Sequence, residues 1–227
     1  MRAVLFDMDG TLVDSEKLWD ISLAALYDHH GGVLTPEVRQ SMVGGSAEDT
    51  IRTVYTDLGL ELDPAAMAES DRWLHSYTAE LFDGGLPWCD GAKELLEALC
   101  AEGTPMALVT NTQRELTARA LDTIGRQYFS ATVCGDEVAH GKPAPDVYLQ
   151  AAALLGLPPS ACLAVEDSVT GTAAAESAGC PVLVVPNDVE VPRGPRRHHI
   201  SSLAGVGLAD LRRVFAELSS QLGERSA

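Results

Sequence analysis

Short apolar runs alternate with longer amphipathic stretches along most of this chain. Runs rich in Val, Leu and Ala predict strands buried on both faces, at Ala3–Asp7, Met106–Thr110, Ala131–Cys134, Cys162–Glu166 and Val182–Val185. Helical spacing predicts helices at Ala92–Cys100, Arg114–Ile124, Pro145–Leu155, Gly171–Ala178 and Leu208–Leu222, with a surface connection at Val191–His199. This alternation is typical of βαβ units and predicts an α/β fold, a three-layer αβα core around a parallel sheet.

One long segment interrupts the alternation, because residues 16–84 contain no strand pattern. Their apolar spacing instead predicts helices at Glu16–Tyr27, Pro36–Met42, Ala47–Leu58 and Pro64–Phe82. Asp63 directly before Pro64 is a typical signal for the start of a helix. We therefore predict a small α-helical domain, residues 16–84, inserted into a core made of residues 1–15 and 85–227.

The composition limits the classes of partner and compartment. The 227-residue chain has a formal net charge of −17, which argues against nucleic acid or an anionic membrane as partner. No apolar run has the length of a membrane span, and the N-terminus lacks a signal-peptide pattern. The five cysteines form no Cys-x-x-Cys pair, so buried reduced thiols are expected. These features together predict a cytoplasmic protein.

Chemically active side chains follow the first four predicted strands, near the point where each strand ends. In chain order they are Asp7 and Asp9, Thr110 and Asn111, Lys142, and Glu166 with Asp167. The carboxyl ends of parallel strands meet at one edge of a sheet, where α/β proteins bind ligands. Two carboxylates as close as those of Asp7 and Asp9 repel each other unless a cation or a proton compensates. The pattern therefore predicts a metal-dependent active site.

Four segments resemble, in this order, the sequence motifs of the haloacid dehalogenase superfamily: Asp7-Met8-Asp9-Gly10-Thr11, Thr110, Lys142-Pro143 and Glu166-Asp167-Ser168. The resemblance extends over nearly the whole chain and includes a helical cap, of the class called C1, inserted after the first motif. It implies a Rossmann-like core and phosphoryl transfer that depends on Mg²⁺. A small phosphorylated metabolite is the expected partner, and a monomer is expected because the cap already covers the site.

The resemblance also implies a role for each core residue in an acyl-phosphate mechanism. Asp7 would be the nucleophile and form an aspartyl phosphate. Asp9 would protonate the leaving oxygen and later deprotonate the attacking water. Thr110 and Lys142 would bind the phosphoryl oxygens, beside the backbone amide of Asn111. These residues would make the chain a phosphoric monoester hydrolase.

The implied Mg²⁺ ligands come from the first and last motifs. Asp7 and Asp167 would supply carboxylate oxygens, and Asp9 would supply its backbone carbonyl. Glu166 would act through a water molecule. An oxygen-only ligand set that retains water is what Mg²⁺ prefers in proteins.

Asp9 narrows the expected reaction, and two alternatives stay open. The dehalogenases and phosphonatases of the superfamily lack an acid here, whereas an alkoxide-like leaving oxygen needs a proton. One alternative is a phosphomutase similar to β-phosphoglucomutase, and the other is a phosphatase of nucleotides or pseudouridine 5′-phosphate. The mutases carry a histidine, a lysine and an arginine where this chain has Trp19, Val43 and Ala47. Each departure removes a charged group that would help to hold a second phosphate.

The predicted insert is acidic, with four cationic against thirteen acidic residues. The run Asp14–Trp19, which leads into the insert, resembles sugar-phosphate phosphatases that are similar to 2-deoxyglucose-6-phosphatase. We expect the insert to act as a lid that selects the leaving group of a sugar phosphate. The expected substrate-binding residues are Trp19, Gly44, Gly45 and Ser46 of the insert and Asn111 of the core.

Overall fold

A six-stranded parallel sheet forms the centre of the protein in a computed structural model, which describes residues 1–42, 47–186 and 189–224. The strands are β1 (Ala3–Phe6), β2 (Met106–Val109), β3 (Ala131–Val133), β4 (Cys162–Glu166), β5 (Val182–Val184) and β6 (Arg197–His199). Their order is β3-β2-β1-β4-β5-β6, and every neighbouring pair is parallel. β1 therefore lies between β2 and β4, which places the residue after it in the middle of the carboxyl edge.

Helices cover both faces of this sheet. They are α5 (Ala92–Ala101), α6 (Arg114–Ile124), α7 (Asp146–Leu154), α8 (Val169–Ala178) and α9 (Leu208–Glu224). Val4 and Phe6 of β1 pack with α5, α6 and α9, whereas Ala3 and Leu5 pack with α7 and α8. Successive residues of a strand point to opposite faces, so one apolar run supplies both cores. The predicted α/β fold with its three-layer core is confirmed.

Four further helices lie between β1 and α5 along the chain. They are α1 (Glu16–His29), α2 (Pro36–Met42), α3 (Ala47–Asp57) and α4 (Pro64–Asp83). Leu26, Tyr27, Val54 and Leu74 are buried in a hydrophobic cluster of their own. The Asp63 carboxylate accepts a hydrogen bond of 2.8 Å from the backbone N–H of Ala66 and so caps α4. The candidate residues Gly44, Gly45 and Ser46 lie outside the described residues.

The sixth strand corrects the interpretation of residues 191–199 as a surface connection. Arg197–His199 pairs in parallel with β5 at the edge of the sheet. An edge strand is paired on one side only, so half-buried polar residues are tolerated and no apolar pattern marks the strand. The Arg197 guanidinium reaches back to the Glu176 carboxylate of α8, at 2.7 Å.

Two further expectations can be compared with the fold. None of the described helices is both long and apolar enough to cross a membrane. The five cysteines are free thiols, and Cys134, Cys162 and Cys180 are buried as expected. Cys89 is only half-buried and Cys100 is exposed, so the expectation of buried thiols is wrong for Cys100. The reason is that Cys100 faces solvent on α5, next to the fully buried Leu99.

Candidate active site

Asp7 occupies the centre of the carboxyl edge of the sheet. Its backbone N–H donates to the carbonyl of Val165 at 3.0 Å, so the chain is still held by β4 where the carboxylate emerges. The ammonium of Lys142 donates to Asp7 Oδ1 at 2.5 Å and to Glu166 Oε1 at 2.7 Å. All three side chains are at most 8% exposed. The first, third and fourth motifs thus meet in one buried charge network.

Burial dominates the electrostatics of this network. It raises the pKa of Asp7 to about 8, with Lys142 opposing the rise and Glu166 and Asp9 adding to it. It also raises the pKa of Asp167, and the nearby Asp7 and Glu166 act in the same direction. For Lys142, burial alone would lower the pKa, but the two carboxylates that it contacts raise it. The two carboxylates therefore favour the positively charged form of Lys142.

Asp7, Glu166 and Asp167 fit a divalent cation. One carboxylate oxygen from each lies within 4.8 Å of the others. When all three are ionised, these carboxylates carry three negative charges. Lys142 balances one of them, and a divalent cation would balance the other two. The oxygen-only donor set is the kind that Mg²⁺ accepts. Glu166 already receives donors at both of its oxygens, from Lys142 and Ser168 among others, which suits an indirect role through water.

Asp9 lies in the same cleft and is held by hydroxyl groups. Its Oδ1 accepts from Ser15 at 2.6 Å, and its Oδ2 accepts from Thr110 at 3.1 Å and Thr112 at 2.7 Å. Thr110 therefore touches Asp9, in addition to lining the cleft. Sequence reasoning missed Thr112. The sequence feature that could have indicated Thr112 is its position two residues beyond Thr110, in the same loop after β2.

The side chain of Asn111 holds the loop that carries Lys142. Lys142 N–H donates to Asn111 Oδ1 at 2.7 Å, and Asn111 Nδ2 donates to the carbonyl of Lys142 at 3.1 Å. At Gly141, a Cβ would lie 2.7 Å from Asn111 Oδ1, so a larger residue there would displace the carboxamide. Sequence reasoning gave Asn111 only a backbone contact with substrate, which stays a prediction. The carboxamide fixes the position from which Lys142 reaches Asp7.

The cleft above these residues has a volume of about 140 Å³. Asp7, Asp9, Thr110, Lys142 and Asp167 line it from the core. Residues of α1 to α4 line it from the opposite side: Glu16, Trp19, Leu23, Arg39, Met42, Thr50, Leu74 and His75. Trp19 was expected on this wall, whereas Arg39 and His75 were missed.

The charges on the helical wall are largely paired. Arg39 forms ion pairs with Glu16 and Asp20. The Nδ1 atom of His75 lies 2.8 Å from the backbone carbonyl of Asp71 and 3.3 Å from its carboxylate. Burial would lower the pKa of His75, but these contacts with Asp71 outweigh it and raise the pKa.

Trp19 packs edge-on against His75, with ring centroids 6.3 Å apart. It makes the same kind of contact with Phe82. The cleft wall therefore presents an aromatic ring beside the polar His75.

This arrangement of strand-end carboxylates, a buried lysine and an inserted helical wall agrees with the sequence family. Residues 4–185 match the model of the haloacid dehalogenase-like hydrolase family, and the chain belongs to that family. Hexitol phosphatase A from Escherichia coli is 33% identical over 192 residues, which cover 85% of this chain and 86% of that protein. A beta-phosphoglucomutase from Mycobacterium bovis is 30% identical over 211 residues, covering 81% of this chain and 80% of that protein.

A solved structure supports the same assignment. CbbY from Rhodobacter sphaeroides, crystallised in complex with phosphate, has a TM-score of 0.84 with this chain and is 26% identical. The match covers 93% of this chain and 99% of CbbY. The predicted family, the predicted Rossmann-like fold and the predicted enzyme class, a phosphoric monoester hydrolase, are confirmed.

Proposed function

We propose that this chain uses Mg²⁺ to hydrolyse the phosphate monoester of a small metabolite, a sugar or polyol phosphate, through an aspartyl phosphate on Asp7. One observation carries the proposal. Asp7 is a buried carboxylate held by Lys142, and Asp9 lines the same cleft. A nucleophile, a cation for the phosphoryl group and an acid for the leaving group are therefore within one site.

The first step is attack of an ionised Asp7 carboxylate on phosphorus. Lys142 opposes the rise in the pKa of Asp7 and so favours this ionised form, and a bound cation would favour it further. Lys142 would bind the phosphoryl oxygens, the hydroxyl of Thr110, which donates to Asp9 in this structure, would turn toward them, and the backbone amide of Asn111 would donate beside them. Asp7, Asp167 and the backbone carbonyl of Asp9 would hold Mg²⁺, with Glu166 acting through water. The bound cation would supply positive charge that offsets the repulsion between a carboxylate and a phosphate.

Asp9 carries the proton in both steps. It gives a proton to the leaving oxygen as the aspartyl phosphate forms, and it takes one from the water that later attacks that phosphate. The hydroxyls of Ser15, Thr110 and Thr112 suit this exchange, because a hydroxyl can rotate to accept from a protonated carboxyl or donate to an ionised one. They hold Asp9 in place while its protonation changes.

Residues 16–84 are proposed to act as a cap on a core made of residues 1–15 and 85–227. The two connections between these parts bind each other: Asp14 N–H donates to the carbonyl of Pro87 at 2.8 Å, and Cys89 N–H donates to the carbonyl of Leu12 at 3.0 Å. A paired connection of this kind keeps the wall of helices over the strand ends. Closure over the substrate would exclude bulk water from the aspartyl phosphate.

The charge balance of the cap wall favours a leaving group without a second phosphate. Arg39 is already paired with Glu16 and Asp20, and His75 is paired with Asp71. Trp19 adds an aromatic ring, which suits the apolar face of a sugar or polyol. A mutase that holds a bisphosphate needs uncompensated positive charge on this wall, so the geometry favours the phosphatase.

A panel of phosphorylated metabolites tests the proposal directly. With Mg²⁺, the purified protein is expected to release inorganic phosphate from sugar or polyol phosphates, and a chelator is expected to stop the release. Conversion of β-glucose 1-phosphate into glucose 6-phosphate without phosphate release would instead establish the mutase. A preference for nucleoside or pseudouridine 5′-phosphate would establish the other alternative. If no compound is turned over, the proposed function is wrong.

We propose that His75, which lines the cleft from the cap side, binds a hydroxyl of the leaving group, so His75→Ala is expected to raise KM for the best metabolite by about tenfold. p-Nitrophenyl phosphate offers no sugar hydroxyl, so its kcat/KM is expected to stay within about twofold of wild type. His140→Ala is the matched control, since the side chain of His140 is 76% exposed. Equal losses on both substrates in His75→Ala would contradict a specific contact with the leaving group.

A further inference from the structure

Tyr148 lies beneath the active site and contacts two of its charged groups. It belongs to α7, which begins shortly after the loop that carries Lys142, and it is fully buried. Its hydroxyl donates to Glu166 Oε1 at 2.6 Å. The ammonium of Lys142 lies 5.3 Å from the centre of its ring, within the range of a cation–π contact.

The oxygen that Tyr148 contacts is also the one that competes with Asp7 for Lys142. Lys142 donates to Glu166 Oε1 at 2.7 Å and to Asp7 Oδ1 at 2.5 Å. In a buried site, the position of an ammonium between two carboxylates depends on how strongly each one is otherwise satisfied. A second donor on Glu166 Oε1 weakens the hold of Glu166 on the ammonium.

The carboxylate of Glu166 has little freedom to move away from these donors. Its Oε2 accepts from Ser168 Oγ at 3.2 Å. On its other side, the carboxylate packs directly against Gly171. A Cβ at this position would lie within 2.1 Å of the carboxylate, so only glycine leaves room for it. The hydroxyl of Tyr148 therefore acts on a fixed target.

We propose that Tyr148 is a positioning residue: its hydroxyl satisfies Glu166 Oε1, keeps Lys142 directed at Asp7 and holds the carboxylate cluster in the geometry that takes a divalent cation. The inference rests on the proposed function of this site and adds a residue outside the four motifs. The hydroxyl acts as a donor, because its neighbour at 2.6 Å is an acceptor, the carboxylate oxygen Glu166 Oε1.

Tyr148→Phe tests the proposal, because it removes one oxygen and keeps the ring that packs against Lys142. With p-nitrophenyl phosphate, kcat is expected to fall about tenfold while KM changes less than about threefold. Without substrate, the Mg²⁺ concentration that gives half of the Mg²⁺-induced rise in melting temperature is expected to increase about tenfold. The second measurement reports on the cation site independently of turnover.

Tyr27→Phe is the matched control. Tyr27 is also fully buried, and its hydroxyl donates to Asp57 Oδ2 at 3.0 Å, between α1 and α3 and outside the residues that line the cleft. Both variants are expected to lower the melting temperature, but only Tyr148→Phe is expected to change kcat and the Mg²⁺ response. Wild-type kcat and Mg²⁺ response in Tyr148→Phe would overturn the proposal, as would equal changes in Tyr27→Phe. If the wild type releases no phosphate from any compound, the proposed function fails, and the Mg²⁺ titration still decides the role of Tyr148.

Discussion

Asp9→Asn is expected to lower kcat for an alkyl phosphate by about 10³, because the leaving alkoxide loses the group that protonates it. Asparagine keeps the size of the side chain and can still bond to the hydroxyls of Ser15, Thr110 and Thr112. The loss therefore reports on proton transfer and not on packing. A substrate with a weakly basic leaving group separates the two steps that Asp9 serves.

p-Nitrophenyl phosphate is that substrate, because p-nitrophenolate leaves without being protonated. In Asp9→Asn, the first step is expected to produce a burst of about one p-nitrophenolate per chain. The second step lacks its base, so steady-state turnover after the burst is expected to be slow. Stopped-flow absorbance measures both phases. If Asp9→Asn lost activity equally on both substrates and showed no burst, this result would contradict the assignment of Asp9.

Lys142→Met is expected to affect both stability and activity. It removes the only positive charge that contacts Asp7 and Glu166 among the described residues, and it leaves these buried carboxylates without a cation. Such a loss typically costs about 3–5 kcal/mol of the free energy of unfolding. We also expect kcat to fall by about 10² or more, because the phosphoryl oxygens lose a preorganised cation.

Urea unfolding without and with Mg²⁺ measures the first effect. Mg²⁺ is expected to restore part of the lost stability, because it brings positive charge to the same carboxylates. Lys93→Met is the control, since Lys93 is exposed on α5. A Lys142→Met chain whose free energy of unfolding stays within about 1 kcal/mol of wild type would show that Lys142 does not balance the buried carboxylates.

The core of the site was predictable because its residues all lie at or shortly after the carboxyl ends of strands. Asp7, Thr110 and Glu166 lie at strand ends, Lys142 lies in the connection between β3 and α7, and parallel topology brings strand ends together. The apolar runs of β1, β2 and β4 are buried on both faces, so their pattern is unambiguous. β6 was missed for the opposite reason, because an edge strand with half-buried Arg197 and His199 has no such pattern.

The wall of the cleft was not predictable in the same way. Arg39 and His75 are single polar residues on helices, a pattern that is normally typical of a solvated surface. Only the packing of α2 and α4 against α1 turns them toward Asp7, and that packing depends on contacts distant in sequence. Tyr148 was missed because its ring fits a core position of α7, while its hydroxyl meets Glu166 eighteen residues further on.

The central claim is that Asp7 becomes phosphorylated, and acid quenching of the enzyme during turnover tests it most directly. With a substrate labelled in its phosphoryl group, the quenched chain is expected to carry the label on the peptide that contains Asp7. Asp7→Asn is expected to carry no label and to release no phosphate, although Asp9 and Lys142 are unchanged. Phosphate release without a labelled chain, a label on another peptide, or turnover by Asp7→Asn at the wild-type rate would contradict the claim.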